Sequence, residues 1–387
     1  VKKTIIVALI VRLLIIPFFY HPDIKSQHFH FQFFKKGIVN IYQYVQDNQD
    51  TLPYKDTFNY LPLTYYVFGL TNAITQTISG PQLNQWLNDW GPDKDANPNI
   101  PFFMLALKLP YLFLDLGVAF LLLKIYKSQK LFRFWLLNPL SLYFIYILGN
   151  FDILPVFLTL LSFYFLQKKK INLSFLILGM AIALKAYPLL FFPFFLFYRP
   201  TKNTHLIKHS LITALPLIIT LLPFINQTAF QQSFLGSGLT QKILETKIAN
   251  IPIFPLTYLL ILLKYAKSSH QKPIHFYLFP LFAFFAALVN FHPQWLLWFL
   301  PFTLAVFCQK KYRHLLCLIL LLCFSYIFLY NDNYLFWGHL TPINPLFVHL
   351  TSPHNFLQSR LPFSVPHLQN NLRLLILIPA TISYFFL

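Results

Sequence analysis

The chain is poor in acid. Only 11 of its 387 residues are Asp or Glu, against 30 Lys and Arg, so any reaction needing a carboxylate base has few candidates. Cysteine is scarce too. Cys308, Cys317 and Cys323 all sit in apolar runs, which argues against a disulfide framework or a cysteine zinc site. The 10 glycines fall well below the usual ~7%, and no internal repeat is visible. The repeated halves and small-residue interfaces of secondary transporters are therefore missing. Charged residues make up 11%, where soluble domains carry about 25%.

What is present is apolar: 57% hydrophobic, 19% aromatic, mean hydropathy +0.56. This predicts an all-α polytopic membrane protein, with a single integral membrane domain over 1–387. A net charge of +19 would suggest nucleic acid in a soluble chain. Here the basic residues stand in short gaps between apolar runs, where membrane orientation and anionic lipid account for them, and no nucleic-acid partner is implied. Roughly twelve spans are expected, each near or below the ~20 residues a bilayer demands: 4–20, 101–123, 132–148, 152–167, 171–187, 188–198, 206–225, 251–266, 273–291, 294–308, 312–330 and 372–387. The run after Val1-Lys2-Lys3 resembles a signal peptide. Arg12 interrupts it and no small-residue cleavage site follows, so it reads as an uncleaved first span. The absent Met implies a non-Met start or a trimmed N-terminus.

Basic clusters occupy alternate gaps: Lys124/Lys127/Lys130/Arg133, Lys168/Lys169/Lys170, Arg199/Lys202/Lys208, Lys264/Lys267/Lys272 and Lys310/Lys311/Arg313. With Lys2 and Lys3 they place 18 basic residues on one side, which the positive-inside rule makes cytoplasmic, against 9 on the other. The acids check this independently. Asp23, Asp47, Asp50, Asp56, Asp89, Asp93, Asp95, Glu245 and Asp332 all fall outside. Asp152 lies at the outer lip of a span and Asp115 within one. A carboxylate base therefore belongs at the outer face.

Three outer segments are large: 21–100, 226–250 and 331–371, the last an irregular loop over the active side. Phe29, Phe33, Phe34, Ile38, Ile41, Tyr42 and Val45 recur at helical spacing. They predict an amphipathic helix over 27–48, lying on the membrane surface with that face down. The stretch 58–78 reads as a partly embedded outer segment. In 171–198, Lys185, Pro188 and Pro193 predict a pair of short helices meeting inside the protein, tolerated at depth only where they line a cavity or pack on protein.

The candidate residues follow from this layout. Asp23, in Tyr20-His21-Pro22-Asp23, stands just after the first span. Half-shielded there, it would have its pKa raised toward the range of a base; the alternative is a helix N-cap. His28 and His30 form a His-x-His pair with no third metal ligand at a diagnostic spacing. Tyr54 and Tyr60 are belt aromatics or stacking surfaces for sugar or polyprenyl. Lys108 and Asp115 share one helix face, and Arg12 joins them in a structural intramembrane polar network. Further on come Trp135-Leu136-Leu137-Asn138-Pro139, Gly149-Asn150-Phe151-Asp152 and Lys185-Ala186-Tyr187-Pro188. Lys185 suits a phosphate as a point charge, or pairs with Asp152. His292 and Gln294 stand on a tight turn beside Trp295 and Trp298.

Together these blocks resemble the GT-C class of membrane glycosyltransferases. Within it the nearest likeness is to the catalytic mannosyltransferase of glycosylphosphatidylinositol assembly and its prokaryotic polyprenyl-phosphate-sugar-using relatives. The likeness is best over 101–199, inside a helical block of 101–225. It implies an inverting transfer of mannose from a polyprenyl monophosphate to an acceptor hydroxyl, with the first-loop acid, Asp23, as base. The eukaryotic enzyme carries Asp-x-Asp there, whereas Ile24 and Lys25 follow Asp23. One acid suffices for a one-step displacement, so no cofactor is expected and a divalent metal is disfavoured. The resemblance further implies that Lys185, with His292, stabilises the leaving phosphate. Asn150 and Asp152 would shape the donor site, Tyr54 and Tyr60 would touch sugar or lipid, and Gln294 would hydrogen-bond a sugar hydroxyl. The implied partners are the lipid-linked donor, a glycan or glycolipid acceptor and the bilayer, and a small accessory membrane subunit stays open. The rival readings are a lipid-linked-sugar transporter or flippase, a non-catalytic subunit, and a surface-polysaccharide polymerase or ligase with a diphosphate-linked donor. The abundance of Phe, Ile, Leu, Lys and Asn suggests an AT-rich prokaryotic genome, hence a site outside the plasma membrane.

Overall fold

The computed structural model describes residues 2–91, 94–198, 203–268, 272–308 and 310–386. Asp93, Arg199 and Lys202, placed above by charge, lie outside them. The regular structure among the described residues is helical apart from one hairpin, β1 (Lys247–Ile248) with β2 (Ile251–Pro252). Among them, two helices are long and apolar enough to cross a membrane, Ile100–Tyr126 and Thr204–Leu221, or three if a bent N-terminal pair counts as one span. Several other expected spans are shorter apolar helices of 10–17 residues. At 1.5 Å per residue these reach about 15–25 Å, short of a ~30 Å hydrocarbon core.

The first helix, α1 (Lys2–Ile15), continues as a 3-10 turn (Ile16–Phe18). Pro22 then starts α2 (Pro22–Phe31). The chain turns by 83° between the two, so α2 runs across the axis of α1. The helix expected over 27–48 is broken. A 3-10 turn over Gln32–Lys36 ends at Gly37 in the left-handed region, φ 78°, and α3 (Ile41–Asp47) restarts from an Asn40 cap that accepts from Gln43 N. Gly37 stops helices for the reason that any Cβ disfavours that backbone, and Asn40 starts them by accepting an orphan N–H. The apolar face is turned into protein, not down on a membrane. Phe29, Phe33, Ile41, Tyr42 and Val45 are all buried; Tyr42, for example, packs edge-on against Phe224 and Phe230. The stretch 58–78 enters α4 (Pro62–Asn88) at Pro62, and the helix is bent at Gly80 beside Pro81. One face of α4 packs on α2 while Leu70, Ile74 and Ile78 stay exposed.

The long α5 (Ile100–Tyr126) carries the buried polar network. Arg12 Nε donates to Asp115 Oδ2 at 2.5 Å, with both side chains fully buried. Trp135 Nε1, from α6 (Gln129–Leu137), and Tyr146 OH also donate to Asp115, at 2.6 and 2.8 Å. Arg12 is thus the partner expected for Asp115, but Lys108 is not in that network. Its Nζ donates to the carbonyls of Phe19 and Tyr146 at 2.6 and 2.7 Å. Lys108 and Asp115, seven residues apart on α5, share a helix face but not a partner, because the Phe19 and Tyr146 carbonyls, where the helices break, take the ammonium. Gly149 makes room for it. Its φ is +65°, and a Cβ there would come within 2.8 Å of Lys108 Cε.

After α7 (Pro139–Leu142), capped by Asn138, the chain passes through a π turn (Tyr143–Ile147) to α8 (Ile153–Gln167). It reverses at Lys168–Lys170 and returns as α9 (Ile171–Leu184). Ser162 and Ser174 staple this hairpin, each hydroxyl donating to the other residue's carbonyl at 2.8 Å. Beyond α9 the chain is extended at Lys185, then forms a 3-10 turn (Tyr187–Leu190) and the short α10 (Phe192–Leu196). The expected break in 171–198 is therefore present. The remainder comprises α11 (Asn203–Leu221), α12 (Thr228–Phe234), α13 (Leu239–Leu244), α14 (Ile253–Lys267), α15 (His275–Leu288), α16 (Leu300–Phe307), α17 (Lys310–Phe328), α18 (Pro353–Gln358), α19 (Val365–Leu375) and α20 (Leu377–Phe385). Helix α15 is buried on every side except at Phe284. In contrast Ile207, Leu211, Leu215, Ile218 and Leu222 expose an apolar stripe along and just beyond α11, a surface suited to lipid.

The segments 226–250 and 331–371 each meet the N-terminal part of the chain, 21–100 with Tyr20 just before it. Asn40 donates to Gln227 at 2.7 Å and Gln46 to Gln232 at 3.2 Å. Tyr334 OH donates to Asp95, and Tyr20 N donates to His339 O at 2.9 Å. They enclose one end of the helices. The Lys168–Lys170 turn lies the length of α8 away from that end, about 22 Å for its 15 residues.

Candidate active site

A cavity of about 870 Å³ opens under these three segments. Six of the eight residues expected at a catalytic and donor site line it: Asp23, Tyr54, Tyr60, Lys185, His292 and Gln294. They come from four separate stretches of chain. Asn150 and Asp152 do not line it. Both are buried behind Lys185. Asn150 Oδ1 accepts from Asp152 N at 3.2 Å, and Asp152 holds Lys185. The reason is geometric: Gly149 turns the chain so that α8 starts behind the cavity wall, and the carboxylate follows it inward.

Asp23 sits in the first turn of α2. It is not the cap. His21 is, since its Nδ1 lies 3.2 Å from Asp23 N and accepts that N–H when neutral. The same Nδ1 is 3.4 Å from Asp23 Oδ1, and His21 Nε2 is 3.7 Å from Asp332 Oδ2. The imidazole therefore lies between two carboxylates. Its own side chain is 10% exposed, while Asp23 keeps 42% of its surface open to the cavity. Burial disfavours the His21 cation, but the two carboxylates outweigh it and raise the pKa to about 9. In the charged form Nδ1–H turns from capping to the Asp23 carboxylate. Burial alone would raise Asp23, yet His21, with His292 and Lys185, holds it below its ordinary value. This reverses the expected upward shift: the shielding is real, but three cationic or polar nitrogens face the group.

Lys185 reaches the cavity from the end of α9. Its Nζ donates to Asp152 Oδ1, and Trp298 Nε1 donates to the other carboxylate oxygen at 2.7 Å. The ammonium also lies over the rings of Phe151, Tyr60 and Trp298, at 5.1–5.7 Å from their centres. Tyr187 stacks on Trp298 at 4.2 Å. Carboxylate and ring faces are both favourable partners for an ammonium. One of its three N–H bonds serves Asp152, leaving two for another anion.

His292 precedes the 3-10 turn Pro293–Trp298. Lys242 Nζ, from α13, lies 2.6 Å from His292 Nε2. Burial, then Lys242, lowers the His292 pKa to about 4, so the ring is neutral, accepts from Lys242, and carries its own proton on Nδ1. Tyr54 stacks on Trp90 at 4.2 Å and donates to Asp56 at 2.6 Å. Tyr60 OH accepts from Gln27 at 3.2 Å. His28 and His30 turn to separate partners: His28 Nδ1 to Asn72 at 2.8 Å, His30 to the Ser26 and Asp56 carbonyls at 2.9 and 3.1 Å. No group of three or more metal-ligating side chains occurs among the described residues. His21, Lys242 and Asp332 were missed at the level of sequence. Adjacency to Asp23 was the one available signal, for His21. Lys242 and Asp332 reach the site only through tertiary folding.

Residues 145–239 match the family model described as Mannosyltransferase (PIG-M). The matched stretch contains Asn150, Asp152 and Lys185, together with the hairpin that joins them. No curated protein and no solved structure matches the chain. The match supports a glycosyltransferase, and within that class a mannosyltransferase. It agrees with the resemblance read from the sequence blocks. With the apolar helices, it also supports an integral membrane protein whose donor is a lipid-linked sugar and whose acceptor is a glycan.

Proposed function

We propose that the protein transfers mannose from a polyprenyl monophosphate to an acceptor hydroxyl at the outer membrane face, with Asp23 as general base. The supporting observation is that Asp23 and Lys185, from separate parts of the chain, open onto one cavity. In this reading the acceptor oxygen bonds to the sugar's anomeric carbon from one side. The bond from that carbon to the phosphate oxygen breaks on the other, its electron pair leaving with polyprenyl phosphate, and configuration is inverted. The acceptor's proton passes to the Asp23 carboxylate, which is ionised and open to the cavity. Charge builds on the leaving phosphate, where Lys185 offers two free N–H bonds and His292 its Nδ1–H. Leu189, Leu190, Pro193 and Tyr258 give one wall of the cavity an apolar surface suited to the first isoprene units. Tyr54 and Tyr60 give ring faces for sugar, and Gln294 gives an amide. Asn150 and Asp152 act behind Lys185, orienting it. The phosphate is met by lysine, so the reading assigns no divalent metal to the reaction. The outer face rests on the acid distribution and on the three outer segments that enclose the cavity.

The test is transfer by purified protein from polyprenyl-phosphate-mannose, compared with a polyprenyl-diphosphate-linked sugar, each with and without EDTA. Transfer from the monophosphate alone, unaffected by EDTA, is expected. Transfer only from the diphosphate would replace this donor with that of a polymerase or ligase. Movement of the lipid across vesicles without transfer would favour the flippase.

A further inference from the structure

The Asp23 carboxylate is one end of a three-residue chain that joins the first outer segment to the last. His21 stands between Asp23 and Asp332, 3.4 Å from the first and 3.7 Å from the second. Asp332 belongs to the last outer segment, 309 positions further along the sequence. It is itself fixed, since Oδ1 accepts from Tyr334 N at 2.9 Å at the start of a short 3-10 turn. That turn is anchored in its place by Tyr334 OH to Asp95. The backbone beside His21 is held by the same segment: Tyr20 N donates to His339 O, and His339 Nδ1 lies 3.3 Å from Tyr20 O. Asp23, His21 and Asp332 all line the cavity.

We propose that His21 and Asp332 are positioning residues for the catalytic carboxylate: Asp332 holds a cationic His21, and His21 holds Asp23 ionised and aimed into the cavity. This rests on the reading of Asp23 as the base. The bland role for His21, a neutral N-cap of α2, needs no charge and no Asp332. The pair of carboxylates on opposite ring nitrogens favours the cation over that cap. The other groups facing His21 are His339, 6.0 Å between ring centres, the Tyr334 ring at 6.4 Å, and His292. Burial drives both histidines neutral, the His339 pKa falling to about 3 and that of His292 to about 4, so none of the three competes for the charge. Facing Asp23 from other elements are His292 and Lys185. The transferase would thus carry its base and the base's counter-ion on the first outer segment, and the residue that secures the counter-ion on the last.

The arrangement has a consequence that capping lacks. Asn is a good N-cap without charge, so His21→Asn keeps the helix start and removes only the cation. The experiment is the pH dependence of kcat/KM for mannosyl transfer by the full chain in wild type, His21→Asn, Asp332→Asn and Asp23→Asn. Binding of polyprenyl-phosphate-mannose serves as a readout of folding. An opposite charge within ~4–6 Å lowers an acid's pKa by about 1–3 units. In His21→Asn the acid limb should therefore move up by at least about one unit, a loss of roughly tenfold below the limb, with donor binding retained. Asp332→Asn should shift it in the same direction, by less. An unshifted limb in His21→Asn, with Asp23→Asn inactive, would overturn the inference and leave the base assignment intact. An active Asp23→Asn would overturn the base assignment itself.

Discussion

Lys185 and Asp152 close the open ends of one helical hairpin. They stand almost equally far from the Lys168–Lys170 turn, so folding α8 against α9 brings the ammonium onto the carboxylate. Trp298 secures the second carboxylate oxygen. The pair is both a structural latch and the means by which a cation is presented to the cavity.

The two roles can be separated. Lys185→Met leaves Asp152 buried and uncompensated, which costs about 3–5 kcal/mol in comparable pairs. Adding Asp152→Asn removes the stranded charge. The double variant should regain much of the lost thermal stability, yet transfer should stay lower by roughly 10²–10³, the usual cost of a lost transition-state donor. Melting curves in detergent and transfer rates check this. Recovery of transfer in the double variant would make Lys185 a latch only.

Arg12 and Asp115 are expected to be structural. Neither lines the cavity, and Asp115 is saturated by Arg12, Trp135 and Tyr146. Arg12→Met should destabilise the protein by about 3–5 kcal/mol, while the folded fraction keeps the wild-type KM for donor. A changed KM with unchanged melting would contradict this.

Gly149→Ala should be damaging out of proportion to its size. The left-handed backbone costs a non-glycine residue about 1–2 kcal/mol, and the methyl group would press on Lys108 Cε at 2.8 Å. Reduced yield and a lower melting temperature are expected; wild-type melting would show that Lys108 can move aside.

Stability should also depend on pH through His21. Its pKa rises from an ordinary 6.5 to about 9 in the folded protein. The stabilisation is therefore complete below about pH 6.5 and is lost as pH rises through about 9. Asp23 and Asp332, both held below the ordinary 3.8, lose theirs only as pH falls beneath that value. Thermal melting should weaken between pH 6.5 and 9 in wild type, with a smaller decline in His21→Asn. Equal declines would place the sensitivity elsewhere.

What the sequence made legible was chiefly what burial makes expensive. Lys185, Asp152, Arg12 and Asp115 are charges in apolar runs, and each must find a partner; they form two side-chain ion pairs, Lys185–Asp152 and Arg12–Asp115. The break at Lys185 was legible from its prolines. Lys108 was not, since a lysine can be satisfied by carbonyls that no side-chain pattern reveals. Nor was the fate of 27–48. Its apolar spacing was helical, but Gly37 and Asn40 cut the helix, and Phe224 and Phe230, some 180 residues on, cover the Tyr42 face meant for lipid. The Asp23–His21–Asp332 chain was half visible, in the adjacency of two residues, and completed only by the folding of the last outer segment onto the first.

The central claim is that Asp23 takes the acceptor's proton. The most direct test is transfer of radiolabelled mannose from polyprenyl-phosphate-mannose by purified wild type and Asp23→Asn, with donor binding measured alongside. The account predicts that the variant binds donor normally and transfers nothing measurable. Transfer at a wild-type rate by Asp23→Asn would contradict it.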